Sequence, residues 1–305
     1  MDFKKVSYGG WPNCYRLSNS ILDLVLTADV GPRIIRFGFC DGVNEFKEFP
    51  EQIGQTGGDE WRAYGGHRLW HSPEAQPRTY FPDNFPVTVE RHGERVHVAQ
   101  PMETTTGIQK ELDIRFVKGV AQVLVNHRLT NLGLWPVELS VWCLSVMQAG
   151  GVGILPLPPR GVHSPQSLLP SNTMGIWVYT DMSDARWTWG RRFILLQQDS
   201  RATTAQKVGL SNPEGWAAYA RGKHLFLKQV TYQPGVSYPD MGCSVELFTN
   251  RDMQEIETLS PLTKLDPGQS VEHLETWTLL DGVPQPHTEA EVEKHVLPAI
   301  QPFIG

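Results

Sequence analysis

AQVLVNHRL, at residues 121–129, sets apolar and polar side chains in near alternation, and this pattern decides the fold class. Side chains of a β-strand point alternately to opposite faces, so an alternating run buries one face and leaves the other polar. The same pattern, rich in β-branched and aromatic residues, recurs at 21–26, 87–90, 137–142, 193–196, 224–228 and 271–277. We therefore expect an all-β protein built from many short strands.

Turn signals separate these runs, and helical patterning is confined to one place. Pairs such as Gly9-Gly10, Asp41-Gly42 and Pro267-Gly268 are typical of tight turns. Thr288, with Glu291 three residues later, predicts a capped helix from Thr288 to Leu297 that ends at Pro298. Many strands with one short C-terminal helix predict a sandwich or barrel, and residues 1–305 contain no linker, so we expect a single domain.

Composition and charge exclude several classes of function. The chain of 305 residues is 40% hydrophobic and has a net charge of −6. A nucleic-acid-binding protein needs a basic stripe, and the longest basic cluster here is Arg191-Arg192. The N-terminus lacks the apolar core of a secretion signal, and no apolar run approaches the ~20 residues of a membrane helix. We therefore expect no nucleic-acid or membrane partner; the oligomeric state stays open.

The cysteines point to a reducing compartment. Cys14, Cys40, Cys143 and Cys243 are far apart and have no C-x-x-C spacing. Such cysteines are more often small buried apolar residues than zinc ligands or disulfide partners. We expect a cytoplasmic protein that needs no cofactor and no metal.

The segment GGHRLWHSPE at residues 65–74 contains the densest group of chemically useful side chains. His67 and His71 are candidate catalytic residues because imidazole transfers protons near neutral pH. Arg68, Trp70 and Glu74 are candidate substrate-binding residues, since a guanidinium holds hydroxyls and an indole stacks on a sugar face. In one alternative these side chains only hold a loop in place. In another, His67 and His71 bind a metal with oxygens of Glu74 and Asp83.

Glu246 is the third candidate catalytic residue. It lies within CSVELFT at residues 243–249, where Val245 and Leu247 can point into a core while Glu246 and Phe248 point away. On the floor of a cleft, a partly desolvated Glu246 would have a raised pKa and could act as a general base. The alternative is a solvated glutamate on an exposed sheet face.

Further candidate substrate-binding residues surround these. Trp187 and Trp189 alternate along one run and would present a stacking platform. Asp83 and Asn84 follow a turn and would orient Arg68 or contact the ligand. The remaining candidates are Trp142, Lys228 and Asp240. Histidine, carboxylate, arginine and tryptophan together are the groups that bind a sugar and move protons at its anomeric carbon, so a carbohydrate site is the first hypothesis.

Several runs resemble one family. ETLSP at 257–261, LDPGQSV at 265–271 and ETW at 275–277 resemble the C-terminal end of galactose mutarotase-like (aldose 1-epimerase-like) proteins, and GPRIIRF at 31–37 resembles their early strand. GGHRLWHSPE, YPDMGC and ETLSPL resemble runs shared by a bacterial branch of that superfamily. The resemblance spans nearly the whole chain.

The resemblance implies a supersandwich of two large antiparallel sheets with a sugar cleft on one concave face. It also implies a catalytic glutamate base, which maps onto Glu246, and a sugar-anchoring arginine, which maps onto Arg68. The family's histidine acid is expected within residues 141–148, which contain no histidine. His67 or His71 would then have to take its place.

These observations leave three functions open for a carbohydrate-active protein whose partner is a small sugar or oligosaccharide. The first is an aldose 1-epimerase-like isomerase. The second is a non-catalytic carbohydrate-binding protein that has lost the acid. The third is a lyase or hydrolase of sugar acids or oligosaccharides, with Arg68 facing a uronate carboxylate.

Overall fold

Short strands are the main regular secondary structure of the computed structural model, which describes residues 1–304. The strands of the first half are β1 (Asp2–Tyr8), β2 (Trp11–Ser18), β3 (Leu22–Thr27), β4 (Arg33–Phe39), β5 (His67–Ser72), β6 (Thr88–His92), β7 (Arg95–Ala99), β8 (Ile108–Phe116), β9 (Gln122–Asn131) and β10 (Val137–Met147). Those of the second half are β11 (Val152–Pro156), β12 (Met174–Ile176), β13 (Trp187–Trp189), β14 (Phe193–Gln197), β15 (Gln206–Leu210), β16 (Trp216–Arg221), β17 (His224–Gln229), β18 (Val245–Thr249), β19 (Gln254–Leu259), β20 (Thr263–Leu265) and β21 (Ser270–Leu280).

These strands form two large antiparallel sheets, which confirms the predicted all-β sandwich. The first sheet has 11 strands in the order β1-β2-β3-β4-β5-β10-β19-β18-β15-β12, with β20 also paired to β10. The second has 10 strands in the order β13-β14-β11-β16-β17-β21-β9-β8-β7-β6. Strands distant in sequence, such as β5, β10 and β19, are therefore neighbours in the first sheet.

Alternation along each strand determines which face is buried. Val123 and Val125 of β9 point into the space between the sheets, where they share one core with Val245 and Leu247 of β18. Burial of each such side chain contributes roughly 1.5–3 kcal/mol relative to an exposed one. The opposite face of β18 is left to Glu246 and Phe248, as the sequence pattern predicts.

The C-terminal helix begins as predicted but does not end at Pro298. Thr288 caps α1 (Glu289–Glu291) in a capping box with Glu291. A π-helical turn, Val292–Val296, follows, and α2 (Leu297–Ile304) continues past Pro298. Proline lacks an N–H and its ring crowds the preceding turn, so a wider π turn before it lets the helix continue. Within residues 1–304, no helix has the length and apolar character needed to cross a membrane.

Candidate functional site

A cleft of about 510 Å³ lies on the face of the first sheet that is turned away from the core. Its floor is formed by side chains of the central strands, among them Arg68 and Trp70 of β5, Trp142 of β10, Lys207 of β15 and Glu255 of β19. Because β5 is a central strand rather than a loop, its side chains alternate between the cleft and the core.

Strand register places these side chains next to one another. Trp142 is directly opposite Trp70 across the β5–β10 pair. Glu257 is opposite Glu246 across the β18–β19 pair. Gly209 of β15 is opposite Glu246 on its other side. A Cβ at Gly209 would lie 3.1 Å from Cγ of Glu246, so this glycine leaves the space that the glutamate side chain fills.

Lys207 links two glutamates at one end of the cleft. Its Nζ lies 2.7 Å from Oε2 of Glu246 and 2.9 Å from Oε2 of Glu257. Trp142 donates its indole N–H to the same Oε2 of Glu257 at 2.9 Å. The ammonium also lies 4.9 Å from the ring centroid of Trp142 and 4.6 Å from that of Trp177. Attraction between a cation and aromatic faces adds to the ion pairs in holding Lys207 in place.

Because Glu246, Glu257 and Lys207 are buried together, the pKa values of Glu246 and Lys207 depend strongly on the charges of their neighbours. Desolvation raises the pKa of Glu246 well above its ordinary value, although Lys207 opposes the shift. Desolvation alone would lower the pKa of Lys207, but Glu246 and Glu257 outweigh it and raise that pKa. Glu246 is 0% exposed; its Oε2 is ion-paired with Lys207, and its Oε1 has no hydrogen-bond partner. A buried carboxylate that still lacks donors can accept hydrogen bonds from a ligand.

A second ion pair lies at the other end of the cleft. Arg68 donates to Glu255 through Nη2 at 2.8 Å. Its guanidinium carbon lies 4.5 Å from the ring centroid of Trp70 and 5.5 Å from that of Trp61. The Nε atom of Arg68 is buried without a partner. The arginine therefore offers one free donor between aromatic faces, which are the surfaces on which sugars stack.

Two loops border the cleft. One contributes Glu74 and Tyr80, whose hydroxyl donates to the Glu74 carboxylate. The other contributes Trp177 and Tyr179, which line the cleft near Lys207. Asp240 belongs to a turn beside Glu246 and has a φ of 50°, in the left-handed region that non-glycine residues seldom adopt. Such backbone strain is commonly kept where a side chain needs a particular direction.

His67 does not reach the cleft, which corrects its prediction as a catalytic residue. It points to the opposite side of β5 from Arg68 and is 0% exposed. Its Nε2 is 2.7 Å from Nε2 of His127, and its Nδ1 is 2.9 Å from Oγ of Ser145. Burial lowers the pKa of His67 well below its ordinary value, so the imidazole stays neutral. It belongs to a polar network between the sheets.

His71 also points into the core rather than into the cleft. Its Nε2 lies 3.4 Å from Oε2 of Glu103, and Glu103 binds Nζ of Lys110 at 2.5 Å. Burial would raise the pKa of Glu103, but Lys110 and His71 outweigh burial and lower the pKa to about 2. This cluster stabilises the fold and has no contact with Glu246.

We expect the Glu103 cluster to make the fold sensitive to acid. Because the folded-state pKa of Glu103 is depressed from an ordinary value of 4.5, its stabilising effect is complete above pH 4.5 and is lost as pH falls toward 2. The shift corresponds to about 3 kcal/mol. Urea unfolding at a series of pH values should show a shallower acid loss in Glu103→Gln than in wild type. The exposed variant Glu138→Gln should keep the wild-type slope, and an unchanged slope in Glu103→Gln would contradict this account.

Other predicted binding residues support the fold instead. Asp83 pairs with Arg33 at 2.7 Å rather than with Arg68. Asn84 accepts from Tyr64 and donates to backbone carbonyls of residues 58 and 60, which holds the 57–64 loop.

Trp187, Trp189 and Lys228 are likewise outside the cleft. Trp187 and Trp189 stack on each other at 4.7 Å on β13, in the second sheet. Lys228 is fully buried between the sheets, with Nζ 2.8 Å from Glu275. Thus Glu246, Arg68, Trp70, Glu74, Trp142 and Asp240 are the predicted residues that the structure brings to the cleft or beside it.

Two groups of side chains have the donor atoms of a metal site. His67, His127 and Glu275 form one group, and Cys143, His273 and Glu275 form the other; within each, the ligand atoms lie within 4.8 Å of one another. Lys228 already supplies a positive charge to Glu275 at 2.8 Å. His127 donates from Nδ1 to the carbonyl of His273, so its Nε2 accepts from His67. Contacts within the protein therefore already occupy the donor atoms of the first group.

Sequence reasoning did not identify Lys207, Glu255 or Glu257 as site residues. Glu255 and Glu257 alternate with apolar residues in QEIETL at residues 254–259, which is the same signal that singled out Glu246. Lys207 shows the pattern in QKVGL at 206–210. A charged residue in the middle of an apolar strand therefore also indicated Lys207, Glu255 and Glu257 as candidate site residues.

Comparison with solved structures identifies the class of fold. A galactose mutarotase-like protein from Lactobacillus casei matches with a TM-score of 0.57 at 10% identity, over 88% of this chain and 100% of the other. A candidate mutarotase from Salmonella typhimurium matches with a TM-score of 0.58 at 11% identity, over 88% and 90%. A candidate aldose 1-epimerase from Escherichia coli K12 matches with a TM-score of 0.53 at 12% identity, over 88% and 99%.

The chain therefore has the galactose mutarotase-like fold, as the sequence resemblance implies. No protein-family model matches the chain, and no curated protein matches it in sequence. At 10–13% identity the similarity concerns the fold, and function must be argued from the site.

Proposed function

We propose that this cleft binds a sugar and interconverts its anomers, as an aldose 1-epimerase does. The observation that supports this most directly is Glu246, a buried carboxylate whose Oε2 lies 2.7 Å from the ammonium of Lys207 and whose Oε1 has no hydrogen-bond partner. A base and an acid in contact are what proton exchange at an anomeric centre requires. Trp70, Trp142 and Arg68 supply stacking surfaces and a hydrogen-bond donor for the ring.

In the proposed reaction, Glu246 removes the proton of the anomeric hydroxyl. The bond between C1 and the ring oxygen breaks, and the ring oxygen takes a proton from Lys207. After rotation about C1–C2, both transfers run in reverse and close the ring on its other face. Lys207 is a weak acid while Glu246 is ionised, but protonation of Glu246 removes one of the charges that raise the Lys207 pKa. The first transfer therefore promotes the second.

The test is anomer exchange measured by NMR on the purified protein with a panel of neutral aldoses. We expect exchange of at least one aldose to be accelerated in proportion to protein concentration. Protein that binds an aldose without accelerating its exchange would contradict the isomerase and support a binding protein.

A non-catalytic carbohydrate-binding protein is the second candidate, and one observation favours it. Glu246 and Glu257 are both 0% exposed behind Lys207, near the loop that bears Trp177 and Tyr179. The isomerase requires a shift of Lys207 or of this loop to admit the sugar, whereas a binding protein needs only the open part of the cleft around Arg68 and Trp70.

An enzyme acting on sugar acids is supported least. Arg68, which would face a uronate carboxylate, is already paired with Glu255 at 2.8 Å. Lys207, the other cation that lines the cleft, is shared by two glutamates. A uronate carboxylate placed beside either Arg68 or Lys207 would therefore be repelled by the glutamates already paired there.

A further inference from the structure

The cleft and its immediate border contain more negative than positive side chains. Five carboxyl groups, those of Glu74, Asp240, Glu246, Glu255 and Glu257, face two cations, Arg68 and Lys207. Arg68 is paired with Glu255, and Lys207 with Glu246 and Glu257. Glu74 and Asp240 are the two that make no salt bridge to any described residue of this chain.

Glu74 and Asp240 come from different loops and lie close enough for their charges to interact. Burial raises the pKa of Asp240; Lys207 and the contact with Glu246 oppose this, while the charges of Glu257 and Glu74 add to it. The charge of Asp240 likewise contributes to the raised pKa of Glu246. Asp240 thus lies beside Glu246, and Glu74 lies near enough for its charge to act on Asp240.

An independent observation points to a ligand at this place. Oε1 of Glu246 and Oε1 of Glu257 are buried and have no hydrogen-bond partner, whereas Oε2 of each glutamate already contacts the Lys207 ammonium. A ligand that brings donors and positive charge would satisfy them and would relieve the repulsion among the carboxylates. Charge-assisted hydrogen bonds of that kind are roughly twice as strong as neutral ones.

We infer that the cleft is selective for an amino sugar, whose ammonium group lies between the carboxylates of Glu74 and Asp240. This inference rests on the proposed sugar-binding function and names the class of sugar. The ring would lie on Trp70 and Trp142, with hydroxyls directed to Arg68 and toward Glu246. Anionic sugars, such as uronates and sugar phosphates, would be rejected by the same carboxylates.

The test compares matched sugars that differ in charge. Binding of glucosamine and galactosamine is measured by calorimetry at neutral pH against glucose, galactose and the N-acetylated amino sugars. The acetylated sugars keep the nitrogen but lose the positive charge. We expect at least one free amino sugar to bind about tenfold or more tightly than both of its neutral counterparts. We expect glucuronate and galacturonate to bind more weakly than any neutral sugar.

Variants locate the effect. Asp240→Asn and Glu74→Gln should each reduce the preference for the amino sugar while affinity for the neutral sugar stays within severalfold. The exposed variant Glu138→Gln should leave the preference unchanged. Equal affinity for charged and neutral sugars, or a preference that survives in the Asp240→Asn Glu74→Gln double variant, would overturn this inference and leave sugar binding intact. Failure to bind any sugar would instead overturn the proposed function as well.

Discussion

Glu246→Gln should reduce anomer exchange by about 10²–10⁴-fold, the usual contribution of a positioned proton-transfer group. The amide has nearly the same shape as the carboxylate but cannot accept the proton of the anomeric hydroxyl. It keeps an oxygen for hydrogen bonding, so sugar affinity should change by only severalfold. Exchange rates and dissociation constants measured by NMR on the same samples separate the two effects.

The control for Glu246→Gln is Glu138→Gln, which makes the same chemical change on an exposed part of β10. It should exchange anomers at the wild-type rate. In wild type, exchange should increase with pH as Glu246 ionises, with a midpoint above the ordinary glutamate value because burial raises its pKa. Full activity in Glu246→Gln would exclude Glu246 as the base, whatever sugar is used.

Lys207→Met should be the most destabilising single change in the cleft. It removes the ammonium that lies 2.7 Å from Glu246 and 2.9 Å from Glu257 and leaves two buried glutamates facing each other. Breaking a buried ion pair in this way typically costs about 3–5 kcal/mol. The loss should appear in urea unfolding at neutral pH, together with loss of anomer exchange, since Lys207 is the proposed acid.

The pH dependence of the stability of Lys207→Met tests whether the loss of the buried ion pair causes the destabilisation. Without the ammonium, burial holds the folded-state pKa of Glu246 still further above that of the unfolded chain, because Lys207 opposes this shift in wild type. A carboxyl group of that kind stabilises the fold below its unfolded pKa and loses this effect as pH rises through its folded pKa. The variant should therefore be most destabilised at neutral and higher pH and approach wild type in acid.

Two companions to Lys207→Met complete the test. Replacing Glu257 by Gln in the same chain should restore part of the stability, because one buried charge is removed. Lys264→Met, on an exposed position of β20, should have little effect. A Lys207→Met protein as stable as wild type at neutral pH would contradict the ion-pair geometry.

The fold was predictable because strand patterning is local. Runs such as residues 121–129 show their period within a few residues, and the observed β9 matches that run closely. The capping box at Thr288 is also local, and it was predicted correctly. The end of that helix was predicted wrongly, because the residue preferences of the sequence do not indicate the π turn that precedes Pro298.

The secondary structure of segment 65–74 was not predictable from its local sequence. Its glycines suggested a loop, in which Arg68 and His67 could face the same ligand. It is instead the central strand β5, and a strand sends adjacent side chains to opposite faces. Arg68 and Trp70 therefore reach the cleft, while His67 and His71 enter the core. Because the segment was predicted to be a loop, two histidines that stabilise the core were predicted to be catalytic.

By itself, the sequence determined that the chain is all-β, that it resembles galactose mutarotase-like proteins, and that Glu246 lies on the polar face of a strand. Only the tertiary structure decided which distant residues share a face with Glu246, because strand order places β15, which ends at Leu210, beside β18, which begins at Val245. Lys207 meets Glu246 through that pairing, whereas Glu257 lies opposite Glu246 in the short β18–β19 hairpin. Alternation along a strand determines which face each side chain points to, but it does not determine which other strand pairs with that strand.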